Sequence, residues 1–213
     1  MFLDKIIPEN CKENFYRNIK TVKIKLNFDT DFSKIDDNTI NKKKYTTTAG
    51  YNTKKNSLTI LPETLKMIFE IAKDTKDPND FFWKQVNVDI LHELAHMAST
   101  KYDEETDKSL CGFDSYPYRF ESDKNRGLTE GMTEVIAMTG VPGTVEISSG
   151  YYIEALFINQ LIQIVGSEVM LSSYFTNKGT KEIENSLNNI LDEPVLSNTL
   201  FRKIEDNFYL RDV

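Results

Sequence analysis

The sequence is sparing with the residues that bind metals or cross-link chains: 213 residues include only two histidines and two cysteines. Cys11 and Cys111 stand 100 positions apart, which excludes a C-x-x-C metal clip or redox pair and leaves two free thiols, or at most one bridge. No stretch approaches the ~20 apolar residues of a membrane span, and the start, MFLDKIIPENCKENFYRN, has no apolar segment of signal-peptide length. The chain as it stands is therefore expected to be cytoplasmic, or secreted where a leader has been removed, with no membrane partner. Basic residues are outnumbered 26 to 33, for a net charge of −7. That balance argues against a nucleic-acid partner, which needs a basic face to neutralise phosphates. The local run Lys42, Lys43, Lys44, with Lys54 and Lys55, reads as a solvated loop or strand edge.

The length suits a single domain over 1–213 that buries its own core without disulfides. Residues 1–61 read mainly as strands and 62–213 mainly as helices, which makes the fold class α+β. In TVKIKLNF, Val22, Ile24, Leu26 and Phe28 alternate with polar residues, as in a half-buried strand. TTTAGYNTKKNSLTIL reads as a hairpin that turns between Asn52 and Asn56. After Pro62, the stripe Leu65, Ile68, Phe69 and Ala72 predicts a helix. Asp80 can cap the next helix, FFWKQVNVDILHELAHMAST. Residues 100–126 carry no sustained period and read as a long loop. Helices follow at LTEGMTEVIAMT and, separated by Gly166, Gly179 and Pro194, through to the C-terminus.

Both histidines fall in LHELAHMA, as His92 and His96, with Glu93 beside the first. Side chains four apart on a helix share a face, so the two imidazoles can converge on one metal ion. Glu93, about 100° around the helix, can reach a metal-bound water without becoming a ligand, and is the candidate general base. With two histidines and seventeen glutamates in the chain, chance would produce H-E-x-x-H in roughly one such sequence in a thousand.

Two histidines do not complete a catalytic zinc site, which takes three protein ligands and keeps one position for water. With no histidine left, the third ligand is a carboxylate or a thiolate. Ser99 and Tyr102 occupy the positions where the extended metzincin pattern needs glycine and a third histidine. The best carboxylates lie in GLTEGMTEVIA, where Glu130 and Glu134 share a helix face. One can bind metal while the other hydrogen-bonds the far nitrogen of a histidine ligand.

HELAH followed by GLTEGMTE resembles the gluzincin metallopeptidases, the group that contains thermolysin-like enzymes. The resemblance covers these two motifs and their order. It implies one Zn2+ per chain held by His92, His96 and Glu130, with Glu134 supporting a histidine where thermolysin-like enzymes have aspartate. It also implies a zincin-like fold, with a small N-terminal sheet packed on the active-site helix and a mainly helical C-terminal half. A peptide or protein substrate would then lie extended along the sheet edge. Small secreted zinc endopeptidases of the lethal-factor and Pro-Pro endopeptidase kind are similar in layout. They place a tyrosine seven residues before the glutamate ligand, where this chain has Asp123.

The expected activity is peptide-bond hydrolysis by Glu93-assisted attack of a zinc-bound water. The oxyanion that forms needs a further donor. Thermolysin-like enzymes use a histidine there, and none remains here. SYPYRF offers Tyr116, Tyr118 and Arg119, and SSGYYIE offers Tyr151 and Tyr152; position along the chain favours Tyr152, then Tyr118. Two other classes stay open: a zincin-fold binding or regulatory protein without turnover, and a metal-dependent amidase acting on a non-peptide amide.

Overall fold

The computed structural model of the chain describes residues 2–26, 49–62, 64–66, 68, 73, 81–103, 105, 108–113, 125–141, 143, 150–191 and 194–209. Its fold class is α+β, a small sheet beside a larger helical body. The elements in chain order are α1 (Phe2–Ile6), α2 (Glu9–Thr21), β1 (Lys23–Leu26), β2 (Ala49–Asn52), β3 (Ser57–Ile60), α3 (Phe81–Ser99), β4 (Lys101–Asp103) and β5 (Lys108–Leu110). Then come α4 (Arg126–Gly140), α5 (Tyr152–Val165), α6 (Ser167–Thr176), α7 (Lys181–Leu191) and α8 (Pro194–Tyr209). The described residues between Pro62 and Lys73 are helical, as the Pro62 pattern predicts. Asp80 lies outside the described residues.

The sheet has the order β1-β3-β2. β2 and β3 form the expected antiparallel hairpin, with Tyr51 opposite Leu58. β1 runs parallel to β3, with Ile24 opposite Leu58. The half-buried reading of β1 does not hold: all four residues are exposed, Ile24 to 61%. Alternation marks two unlike faces of a strand, but at a sheet edge it does not say that either one is covered. The reading of 100–126 as loop is corrected in part by the β4-β5 hairpin, with Tyr102 opposite Ser109. Three-residue strands are too short to register as a period.

The helical body is organised around α4. Leu128, Met132, Val135, Ile136 and Ala137 are buried, as are the polar Thr129, Thr133 and Glu134. A helix covered on nearly every side needs neighbours on every side. α3 supplies Ala95, Met97 and Ala98; α5 supplies Ala155, Ile158 and Leu161; α6 supplies Met170, Tyr174 and Phe175; and α7 and α8 close the cluster with Ile183, Leu187, Phe201 and Ile204. Leu3, Ile7, Cys11 and Phe15 bring α1 and α2 onto the same core. Gly131 sets how closely α5 approaches: a Cβ there would stand 2.8 Å from the Glu154 main chain. Neither cysteine forms a disulfide, and both are buried. Among the described residues no single helix is long and apolar enough to cross a membrane. The pair α5 and α6, which would be so together, bends by 118° at Gly166, whose φ of +91° suits glycine.

The last carbonyls of α3, left without helical partners, are met by asparagine amides from elsewhere in the chain. Asn18 Nδ2 donates to Met97 O at 2.9 Å and to Thr100 O at 2.8 Å. Asn14 donates to Thr100 O at 2.7 Å, and Asn177 to Ser99 O at 2.9 Å. α2 and the turn after α6 thus fix the end of the helix that bears both histidines. Asn18→Ala is expected to lower stability by about 2 kcal/mol, because it removes two buried hydrogen bonds at the end of α3; a urea melt at constant m-value measures the loss.

Candidate metal centre

Three donor atoms from two helices meet at one point. His96 Nε2 lies 3.1 Å from His92 Nε2 and 3.1 Å from Glu130 Oε2, and His92 Nε2 lies 3.2 Å from the same Glu130 oxygen. The histidines come from successive turns of α3 and Glu130 from the first half of α4. Glu134, one turn further along α4, accepts a hydrogen bond from His92 Nδ1 at 2.9 Å. With a proton on Nδ1, the Nε2 of His92 presents a bare lone pair to His96 and Glu130.

This arrangement fits a small divalent ion. Two donors about 2.05 Å from one tetrahedral ion stand about 3.3 Å apart, close to the observed separations. Two imidazole nitrogens and one carboxylate oxygen, all three side chains at most 13% exposed, are also a common donor set for such ions. Without a cation the cluster must hold protons instead. Burial opposes a charge on His92, but the hydrogen bonds it donates to Glu130 and Glu134 outweigh that and raise the imidazole to about 8. Burial likewise opposes charge on His96, and the Glu130 carboxylate and Cys111 beside it overcome that and raise it. Burial would raise Glu130, yet the two imidazoles hold its carboxyl well below the usual carboxylate range.

The ligand helix begins without a side-chain cap of its own, since Asn125 is left-handed at φ 78° and makes no such bond. The cap comes from the far end of the chain. Glu205 of α8 accepts the N–H of Gly127 at 3.0 Å and of Leu128 at 3.2 Å, which satisfies two of the orphan donors and fixes the turn before Glu130. Burial raises the Glu205 carboxyl.

Glu93 is half-buried, and its Oε2 accepts the main-chain N–H of Tyr51 at 2.6 Å. Tyr51 belongs to β2, an edge strand of the sheet, so this N–H points away from β3 and toward α3. The small sheet and the histidine helix therefore meet at Glu93.

Of the tyrosines named from sequence, Tyr152 is 48% exposed at the start of α5. Its neighbour Tyr151 is the one at the cluster, with its ring stacked on that of His92 at 5.4 Å between centroids and 15° between planes. Burial, then the charge of Glu130, push its hydroxyl up to about 12, so it keeps its proton at neutral pH. The close approach of α5 at Gly131 brings Tyr151 here, and helix periodicity had favoured neither tyrosine. Tyr116, Tyr118, Arg119 and Asp123 lie outside the described residues. Cys111, which no motif singles out, stands beside His96, its Sγ 3.4 Å from Nδ1.

No family model, no curated protein and no solved structure matches this chain.

The raised His92 value fixes a direction for pH. In the metal-free chain the extra proton affinity stabilises the fold fully below about 6.5 and is lost as pH rises through about 8. A metal needs the same lone pair, so its apparent affinity should tighten as pH rises over that interval. Melting temperatures from pH 6 to 9, with and without zinc chloride, check this: the metal-free values should fall while the zinc-induced increment grows.

Proposed function

We propose that the chain is a zinc-dependent peptidase. The observation that carries this reading is the convergence of His92 Nε2, His96 Nε2 and Glu130 Oε2 within 3.2 Å of one another, with a separate carboxylate, Glu93, on the same helix. Zinc suits two imidazoles and a carboxylate; when bound, it polarises a carbonyl and lowers the pKa of a coordinated water. His92, His96 and Glu130 would hold it, and Glu134 would keep His92 in the Nδ1–H tautomer.

The remaining residues then have distinct tasks. Glu93 takes a proton from the attacking water and delivers it to the leaving amine, as a general base and then acid. The Tyr51 N–H steadies that carboxylate. Tyr151, protonated and stacked on His92, donates to the oxyanion in place of the histidine that thermolysin-like enzymes use. Tyr152, turned to solvent, is not assigned this role. The edge of β2 beside Glu93 offers main-chain partners to an extended peptide. The same contacts support a zincin-like layout, with the small sheet beside the active-site helix.

The non-peptide amidase remains the second reading, because the same groups would attack any amide. The edge strand at Glu93 favours a peptide, since only an extended main chain can use it. Glu93 itself argues against a protein without turnover.

Glu93→Gln should retain one zinc per chain and lose cleavage of a peptide library by several orders of magnitude, while His92→Ala should lose the metal. Metal analysis beside mass-spectrometric cleavage profiling reads both, and a His92→Ala protein with undiminished zinc would contradict the assignment. Tyr151→Phe should lower kcat roughly 100-fold with KM little changed. Tyr152→Phe should stay close to wild type in the same assay.

A further inference from the structure

The two histidines are supported unequally. His92 Nδ1 faces a carboxylate, Glu134, at 2.9 Å. On His96 the corresponding nitrogen faces Cys111 Sγ at 3.4 Å and Thr133 Oγ1 at 3.5 Å. Thr133 already gives its proton to Thr129 O at 2.7 Å and so accepts from Tyr174 OH at 2.7 Å, and 3.5 Å is the outer limit of a bond to oxygen. Sulfur is larger, and 3.4 Å is a bonding distance for it. Cys111 is also within 3.5 Å of the His96 carbonyl, to which its S–H can donate.

The thiol and the turn that follows it are held by residues of α3, α4 and the turn after α6. Ser99 Oγ lies 3.4 Å from Sγ and accepts the Gly112 N–H at 3.1 Å. The Phe113 N–H donates to Thr129 Oγ1 at 3.1 Å, and Asn177 Nδ2 donates to Gly112 O at 3.0 Å. Gly112 has φ +58°, and a Cβ on it would stand 2.5 Å from Thr129 Cγ2. Only glycine gives the chain this turn against α4, and the turn sets Cys111 against His96.

We propose that Cys111 is a positioning residue for His96, its sulfur accepting the Nδ1–H and so directing the Nε2 lone pair at the metal position. This rests on the reading of His92, His96 and Glu130 as a metal centre. Sulfur, a weaker acceptor, replaces the carboxylate or amide oxygen that usually supports a histidine ligand, so His96 is the more weakly supported of the two. Cys111 is not itself a ligand, because its sulfur faces the nitrogen of His96 opposite the one that meets Glu130.

The test is zinc affinity of the full chain, measured by competition with a chromogenic chelator, in Cys111→Ala, Cys111→Val and Cys111→Ser. Alanine and valine remove the acceptor, and valine keeps the volume; serine keeps an acceptor. Loss of the supporting bond should weaken zinc binding roughly 10- to 100-fold in both Ala and Val, with partial recovery in Ser. The visible spectrum of the cobalt-substituted protein should shift in the same order. Wild-type affinity in Val, or affinity that follows melting temperature rather than the presence of an acceptor, overturns the role of Cys111 and leaves the metal centre standing. A wild-type chain that binds no zinc overturns the metal centre and this role together.

Discussion

Everything at the centre of this molecule depends on three electron-rich atoms being held against one another in a dry interior. Two imidazole nitrogens and a carboxylate oxygen repel when all three are bare, and separations of 3.1 and 3.2 Å persist only with positive charge among them. A metal ion or bound protons can supply it. The helices that carry the donors have no freedom to move apart: α4 is buried on nearly every side, and the end of α3 is pinned by three asparagine amides. The packing fixes the positions first, and the positions then create the demand for a cation.

That order explains how the rest of the chain is used. The C-terminal helix supplies Glu205 as the missing cap of the ligand helix, so residues more than seventy positions downstream set where Glu130 sits. The N-terminal helices hold the end of α3 through Asn14 and Asn18. The sheet meets this assembly at Glu93, through the Tyr51 N–H, and at α2, where Asn56 Nδ2 donates to Asn18 O. A helical body bearing the donors, with a strand edge laid beside Glu93, is the arrangement that the proposed peptidase would use.

The two motifs were legible in the sequence because a helix converts spacing directly into direction. His92 and His96 share a face for that reason, and Glu130 and Glu134 share another. What spacing does not carry is how one helix sits against the next. Tyr152 looked the better donor along the chain, yet Gly131 lets α5 settle so that Tyr151 reaches His92. Cys111 was invisible because its role comes from a glycine turn and a hairpin too short to leave a period. The open faces of β1 were missed because alternation describes a strand and not its neighbours. The helical half was legible because Gly166, Gly179 and Pro194 punctuate it between helices.

The most direct measurement of the central claim is X-ray absorption at the zinc edge on the purified, zinc-loaded protein. The expected spectrum has a shell of nitrogen and oxygen at about 2.0–2.1 Å, with the outer-shell scattering of two imidazoles and no sulfur. A sulfur shell at about 2.3 Å would mean that Cys111 binds the metal directly, and a spectrum without imidazole would mean that the histidine pair does not hold it. Either result would contradict the site described here.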